Sequence, residues 1–335
     1  MTVRRVRRAL VAAAAVAAVA VLVMPLSSTD WAQAANLPLL TDRLWFRVAT
    51  TIAMFIVMAG AWNIIGGLAG YAAFGNVGFF GIGAYAAGLA ITRGHAPPAV
   101  ALVLAPVAGA VFATAIGIPL LRLRGHYFAI ATLGVSVALG EVVSNLEPLG
   151  GTTGLFLPIV HSDLLFFYLM AGAAALTVGV TWWITRSRFG YGLLAIRENE
   201  EAAAVIGVST TLHKVAAFAL AGALTALAGG VFAQWNVFIN PENTFPVDYS
   251  VQMILMAVFG GAGTVLGPVV GAIVIELLIQ RLAIGGDAAI YAQIGLGLLL
   301  AVTVVFIPRG VVDFVGGRSR LTLSSLRRSL QQTSV

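Results

Sequence analysis

The sequence predicts an all-α, polytopic integral membrane protein of about ten transmembrane helices. Three observations predict it. Of 335 residues, 60% are hydrophobic and only 10% charged, a balance that no water-soluble domain can hide in its core. Apolar runs of roughly the 20 residues needed to cross a bilayer recur along the chain. The basic residues lie between those runs: 19 in all, of which Lys214 is the only lysine. The net charge of +6 therefore reads as topology and headgroup anchoring, and it gives no reason to expect nucleic acid as a partner.

Spans are expected at 9–26, 48–66, 77–92, 98–121, 127–146, 164–184, 215–235 and 288–307. The run from Tyr249 to Gln280 is too long for one helix across about 30 Å of hydrocarbon. It is broken by Gly260-Gly261-Ala262-Gly263 and then Gly267-Pro268, so two short crossings are expected there. Charge supports the split. Ten crossings with the N-terminus inside place Arg4, Arg5, Arg7, Arg8, Arg122, Arg124, Arg186, Arg188, Arg197, Lys214 and the arginines from Arg309 onward on the cytoplasmic side, leaving Arg43, Arg47, Arg93 and Arg281 outside. The first span is expected to be retained; the alternative is a signal peptide cleaved after Ala32-Gln33-Ala34, which would leave nine helices. The chain then divides into an N-terminal helix and periplasmic segment over 1–44, a membrane domain over 45–310 with a cytoplasmic segment at 186–214, and a cytoplasmic basic tail over 311–335.

Covalent chemistry finds little support. The chain has no cysteine and four dispersed histidines, at 95, 126, 161 and 213, so no metal-ligand spacing is present. A phosphate-binding loop needs a lysine after its second glycine, whereas Lys214 follows Leu212-His213. No GxSxG, HExxH or paired-carboxylate arrangement appears, and no enzyme is expected.

Glycine gathers in two clusters, Gly66–Tyr85 and Phe259–Ala272. Such clusters let helices approach closely or break, and a break at membrane depth must be covered by protein or line a cavity. Gly70, Asn76, Gly81, Gly83, Thr132, Gly260, Gly261 and Gly263 are the residues expected beside a translocation path; ordinary small-residue packing is the alternative. One early and one late cluster also fit an internal repeat. Glu141 and Glu276 lie near helix ends, where snorkelling or an interhelical bond accounts for them. Asn63, Asn76, Thr132 and Gln252 read as interhelical hydrogen bonders.

The segment RENEEAAAVIGVSTTLHK, Arg197 to Lys214, is charged in a chain that is not. Leu193–Ile206 reads as one helix stopped by Gly207. Its periodicity turns Leu194, Ile196 and Val205 toward the membrane domain and Arg197, Glu200, Glu201 and Ala204 toward the cytoplasm. Ala202, Ala203 and Ala204 leave room for a partner surface. A helix with a close-packing face and a charged rim suits docking into a groove; a solvated loop is the competing reading.

Glu201-Ala202-Ala203, three residues and then Gly207 resemble the EAA loop of bacterial ABC importer permeases. The surrounding SRFGYGLLAIRENEEAAAVIGVSTTLHKVAAFALAGALTALAG, with GYAAFGNVGFFGIGAYAAG, LRLRGHYFAIATLG and ILMAVFGGAGTVLGPVVGA, is similar to the branched-chain amino-acid permease family of LivM and LivH type, over residues 45–307. The resemblance implies half of a pore in a bacterial inner membrane. Its expected partners are a second LivH-like permease, two ATP-binding subunits and an extracytoplasmic solute-binding protein. No cofactor is expected in this chain, because ATP is bound by the partner subunits. Arg197, Glu200, Glu201, Ala202, Ala203 and Gly207 would form or shape the ATPase contact. Ala73, Asn76 and His126 depart from residues frequent in the family, so permeases for urea and short amides stay open as relatives in function. An ATP-independent secondary transporter is the more distant alternative.

Overall fold

The computed structural model describes residues 43–283 except 159 and 161. The expected helices at 9–26 and 288–307, the cleavage site and the basic tail lie outside the described residues.

Among the described residues the chain is a helical bundle. Helix α1 spans Arg43–Trp62 and continues as a π-helical turn, Asn63–Leu68; α2 is Asn76–Thr92, α3 Pro98–Leu120 and α4 His126–Asn145. Two 3-10 turns and a two-residue strand β1, Leu155–Phe156, lead to α5, Asp163–Arg186. Then come α6, Arg188–Glu198; α7, Glu200–Val205; α8, Thr210–Asn236; strand β2, Phe238–Ile239; α9, Pro241–Thr244; α10, Val247–Gly260; and α11, Gly267–Ala283. Five helices are long and apolar enough to cross a membrane, with α2 and Gly267–Gln280 shorter. A helix lies at each span expected between 48 and 235, and Tyr249–Gln280 divides into two helices, α10 and α11, as its glycines suggested.

Lipid offers no hydrophobic drive for one helix to leave it for another, so close packing must hold the bundle. The sequence supplies it with small residues. On α3 the buried positions are Ala101, Ala105, Gly109, Ala113 and Gly117, every fourth residue and hence one face. They meet α8, where a Cβ on Gly222 would come within 2.6 Å of the Ala113 Cβ and one on Gly230 within 2.6 Å of the Ala105 Cβ. Helix α2 lies on α8 as tightly: a Cβ on Gly83 would run into the Ala226 carbonyl, and one on Gly229 into the Phe80 carbonyl. The outward face of α3 carries Val103, Leu104, Val107, Val111 and Ile118, as a face turned to lipid tails requires.

Contacts define two ends. At one, β1 and β2 pair antiparallel with Leu155 opposite Ile239, and the Phe245 ring sits over Gly81 and Gly140. The other gathers the end of α1, the starts of α4 and α8 and the α6–α7 segment, with Arg124, Arg197 and Lys214.

One expectation is corrected here. Leu193–Ile206 is two helices: the chain is extended at Asn199, with φ −160° and ψ 112°, and the Asn199 side chain accepts a 3.0 Å hydrogen bond from the Ala202 amide to start α7. Asparagine ahead of two glutamates is a strong helix start, so capping and the helix dipole outweigh the propensity for continuing. The turn takes α7 out of the register of α6. Ile196 stays buried, but Leu194 is exposed and Val205 is 87% exposed, so neither joins the membrane domain as the single-helix periodicity implied.

Candidate functional site

The α6–α7 corner is built from local signals. Ser187 caps α6 by accepting from the Gly190 amide at 3.2 Å. Helix α7 ends where the sequence predicted, at Gly207, whose φ of +90° an L side chain resists. The Val208 amide returns to the Ala203 carbonyl and the Gly207 amide to the Ala204 carbonyl, each at 3.0 Å, a doubly bonded stop that satisfies two free carbonyls. The result is a short projection. Ala203 is buried beneath it, whereas Ala202, Ala204 and Gly207 face out. Its tip is apolar: Ile206 is 75% exposed and Leu212, across the turn, 67%.

Charge anchors the base. The Lys214 ammonium is buried and donates to Glu200, to the Leu121 carbonyl at 3.1 Å and to the Tyr71 hydroxyl at 3.1 Å. Tyr71 in turn donates to the other Glu200 oxygen. Burial pushes the Glu200 carboxyl up, but hydrogen bonds from Lys214 and Tyr71 and the Lys214 and Arg124 charges outweigh it, and the group titrates below the ordinary carboxylate range. Burial, and after it the Glu200 carboxylate, pushes the Tyr71 hydroxyl well above its ordinary value. Glu201 is exposed and pairs with exposed Arg124 at 3.0 Å, a solvent-screened contact that adds little to stability. Glu200 is thus a structural anchor, while Glu201 belongs to the rim.

Arg197 points the other way. Its guanidinium reaches back to the bundle and donates to the Gly67 carbonyl at 2.8 Å. Gly67 lies in the π turn, where widened helical geometry frees carbonyls from their usual partners. Directly beside it is the loop between α10 and α11. The Asn63 side chain donates to the Thr264 carbonyl at 2.9 Å and accepts from the Gly263 amide at 2.6 Å. The two glycine clusters therefore meet.

A cavity of about 650 Å³ opens beside this corner, lined among others by Gly70, Tyr71, Arg124, His126, Arg197 and Glu201. Of the eight expected path residues, Gly70 lines it. Gly81, Gly83 and Gly260 are buried in helix contacts, and Gly261 and Gly263 form the α10–α11 turn with φ of +128° and +82°. Thr132 is buried and accepts from the Phe74 amide at 3.0 Å. Asn76 is 0% exposed, and among the described residues neither amide atom has a hydrogen-bond partner, so the interhelical bond expected of it is not made there. Glu276 bonds to Gln280 on its own helix at 2.8 Å, while Glu141 lies exposed on α4.

Lys214, Tyr71, Gly67 and Asn63 hold this corner together by hydrogen bonds that sequence reasoning did not anticipate. Only Lys214 carried a signal: the only lysine in the chain, fourteen positions after Glu200. Among the described residues no cluster of three or more potential metal ligands occurs.

Comparison with known proteins agrees with this architecture. The family described as branched-chain amino acid transport system / permease component matches residues 44–306. The high-affinity branched-chain amino acid transport system permease protein LivM of Salmonella typhimurium is 29% identical over 86% of this chain and 74% of its own length. LivM of Escherichia coli is 29% identical over 85% and 73%. A probable branched-chain amino acid transport permease LivM of Methanocaldococcus jannaschii is 26% identical over 51% and 52%. No solved structure matches. These relatives are transport permeases, and this chain is a multi-pass membrane protein that belongs to the branched-chain amino acid transport system permease family.

Proposed function

We propose that the chain is the permease subunit of an ATP-driven importer in a bacterial inner membrane, forming half of the pathway for leucine, isoleucine and valine. Residues 45–310 are the permease domain, and 186–214 carry the contact to a separate ATPase. A second LivH-like permease, two ATP-binding subunits and an extracytoplasmic binding protein complete the assembly, with ATP held by the partners.

One observation carries the reading. Val205 and Ile206, at the end of α7, and Leu212, in the first turn of α8, form an exposed apolar tip, rimmed by the Arg124–Glu201 pair. Water penalises such a tip, and lipid would penalise its rim, whereas a partner groove with apolar walls and a charged edge satisfies both. Glu201, Ala202 and Gly207 then shape the contact surface, and Ala203 and Glu200 hold it in place.

The test is co-purification from the native operon. Ile206→Asp is expected to strip the ATP-binding subunits from a correctly inserted permease and abolish uptake. Full retention of those subunits with normal leucine uptake would place the contact elsewhere.

A further inference from the structure

We infer that Arg197 is a positioning residue that ties the docking projection to the two backbone breaks, so that movement of one becomes movement of the others. The inference rests on the coupling reading above and goes beyond it by naming the connecting group.

One guanidinium touches both breaks. Its Nη1 donates to the Gly67 carbonyl at 2.8 Å, and a Cβ placed on Gly263 would come within 2.8 Å of the same nitrogen. Gly67 and Gly263 pack backbone to backbone, a Cβ on Gly67 lying 2.5 Å from the Gly263 amide nitrogen. The Arg197 stem passes under Gly70, where a Cβ would meet its Cγ at 3.0 Å and φ is +78°. Glycine at 67, 70 and 263 is thus what lets a long cationic side chain reach this point.

Charge says why arginine stands there. Among the described residues no carboxylate pairs with Arg197; its named acceptor is a carbonyl at the negative end of α1. A charge-assisted bond to a freed carbonyl is strong when made, yet only one side chain must move for it to exchange partners. Glu200, anchored by Lys214 of α8 and by Tyr71 of the α1–α2 connection, fixes α7 against those two segments. Tyr71, whose amide donates to the Ile65 carbonyl, joins α7 to the π turn alone, whereas Arg197, in the last turn of α6, reaches both that turn and the α10–α11 loop. Asn63 makes the two breaks respond together.

The experiment uses the assembled importer in proteoliposomes and measures leucine uptake per ATP hydrolysed. Arg197→Gln is expected to lower that ratio by about tenfold or more, within the usual range of coupling between sites, and Arg197→Lys to restore part of it. The chain has no cysteine, so Val265→Cys reports on the loop alone. Its thiol-labelling rate should respond to ATP with Arg197 present and lose that response in the Arg197→Gln background. Unchanged uptake per ATP, with uptake falling only as ATPase subunits are lost, would make Arg197 a docking contact and overturn the inference. A preserved ATP response at Val265→Cys would overturn it as well. Uptake by the unmodified protein with no ATPase present would instead remove the coupling reading, and this inference with it.

Discussion

The α2–α3–α8 seam and the corner under the docking projection are both made of glycine, and they use it in opposite ways. In the seam the helices run unbroken, and the missing Cβ atoms let backbones touch: Gly83 on Ala226, Gly229 on Phe80, Gly109 on Gly222. Its packing is side chain and backbone against backbone, with no charged group in it. At the corner the absent side chains permit positive φ at Gly70, Gly261 and Gly263. The gaps are spanned by a few hydrogen bonds from Asn63 and Arg197. Close packing resists small displacements because every contact must shift together. A handful of polar bonds can be traded one at a time. The contrast teaches that a glycine-rich membrane sequence holds a stiff body and a movable joint side by side.

The comparison breaks most visibly at the seam. Gly83→Leu drives a side chain into the Ala226 carbonyl, and no monodisperse folded protein is expected on size-exclusion chromatography; recovery of a stable variant would mean the seam is loose. A smaller effect is expected at the joint. Gly67→Ala presses on the Asn63 amide and Gly263, opening that clasp; we expect a folded protein weakened by about 1–3 kcal/mol in denaturant titration, the range for overpacking, with uptake lost. The smallest effect is expected where glycine does neither job. Gly134 has nothing within 4 Å of its would-be Cβ, so Gly134→Ala should leave uptake intact and shift stability by no more than about 1 kcal/mol, in the favourable direction.

Sequence periodicity finds the joint and the seam unequally well. Spans between 48 and 280 were legible because length and hydropathy dominate in lipid, and the break at Gly260–Gly263 because the run containing it exceeds a bilayer. The Gly207 stop was legible from one residue. The bend at Asn199 was not, although its cap is local: alanine, leucine and glutamate on both sides favour helix, and a propensity sum hides a single hydrogen bond. That one bend reversed Val205. Arg197 was legible as an exposed charge in the right segment but not as a donor to the Gly67 carbonyl. Its acceptor lies 130 positions away, and no spacing rule reaches that far. The same holds for Asn63 and Gly263, separated by 200 positions. The buried Asn76 shows the converse, since a bonding role was expected and the described residues supply no partner.

Only Glu198 stands between Arg197 and Asn199, the residue that caps α7. A connection that short, running through the end of one helix into the start of the next, contains almost no slack. A push delivered at the tip would arrive at the membrane interior with little loss, the way a rod transmits a stroke that a spring would absorb.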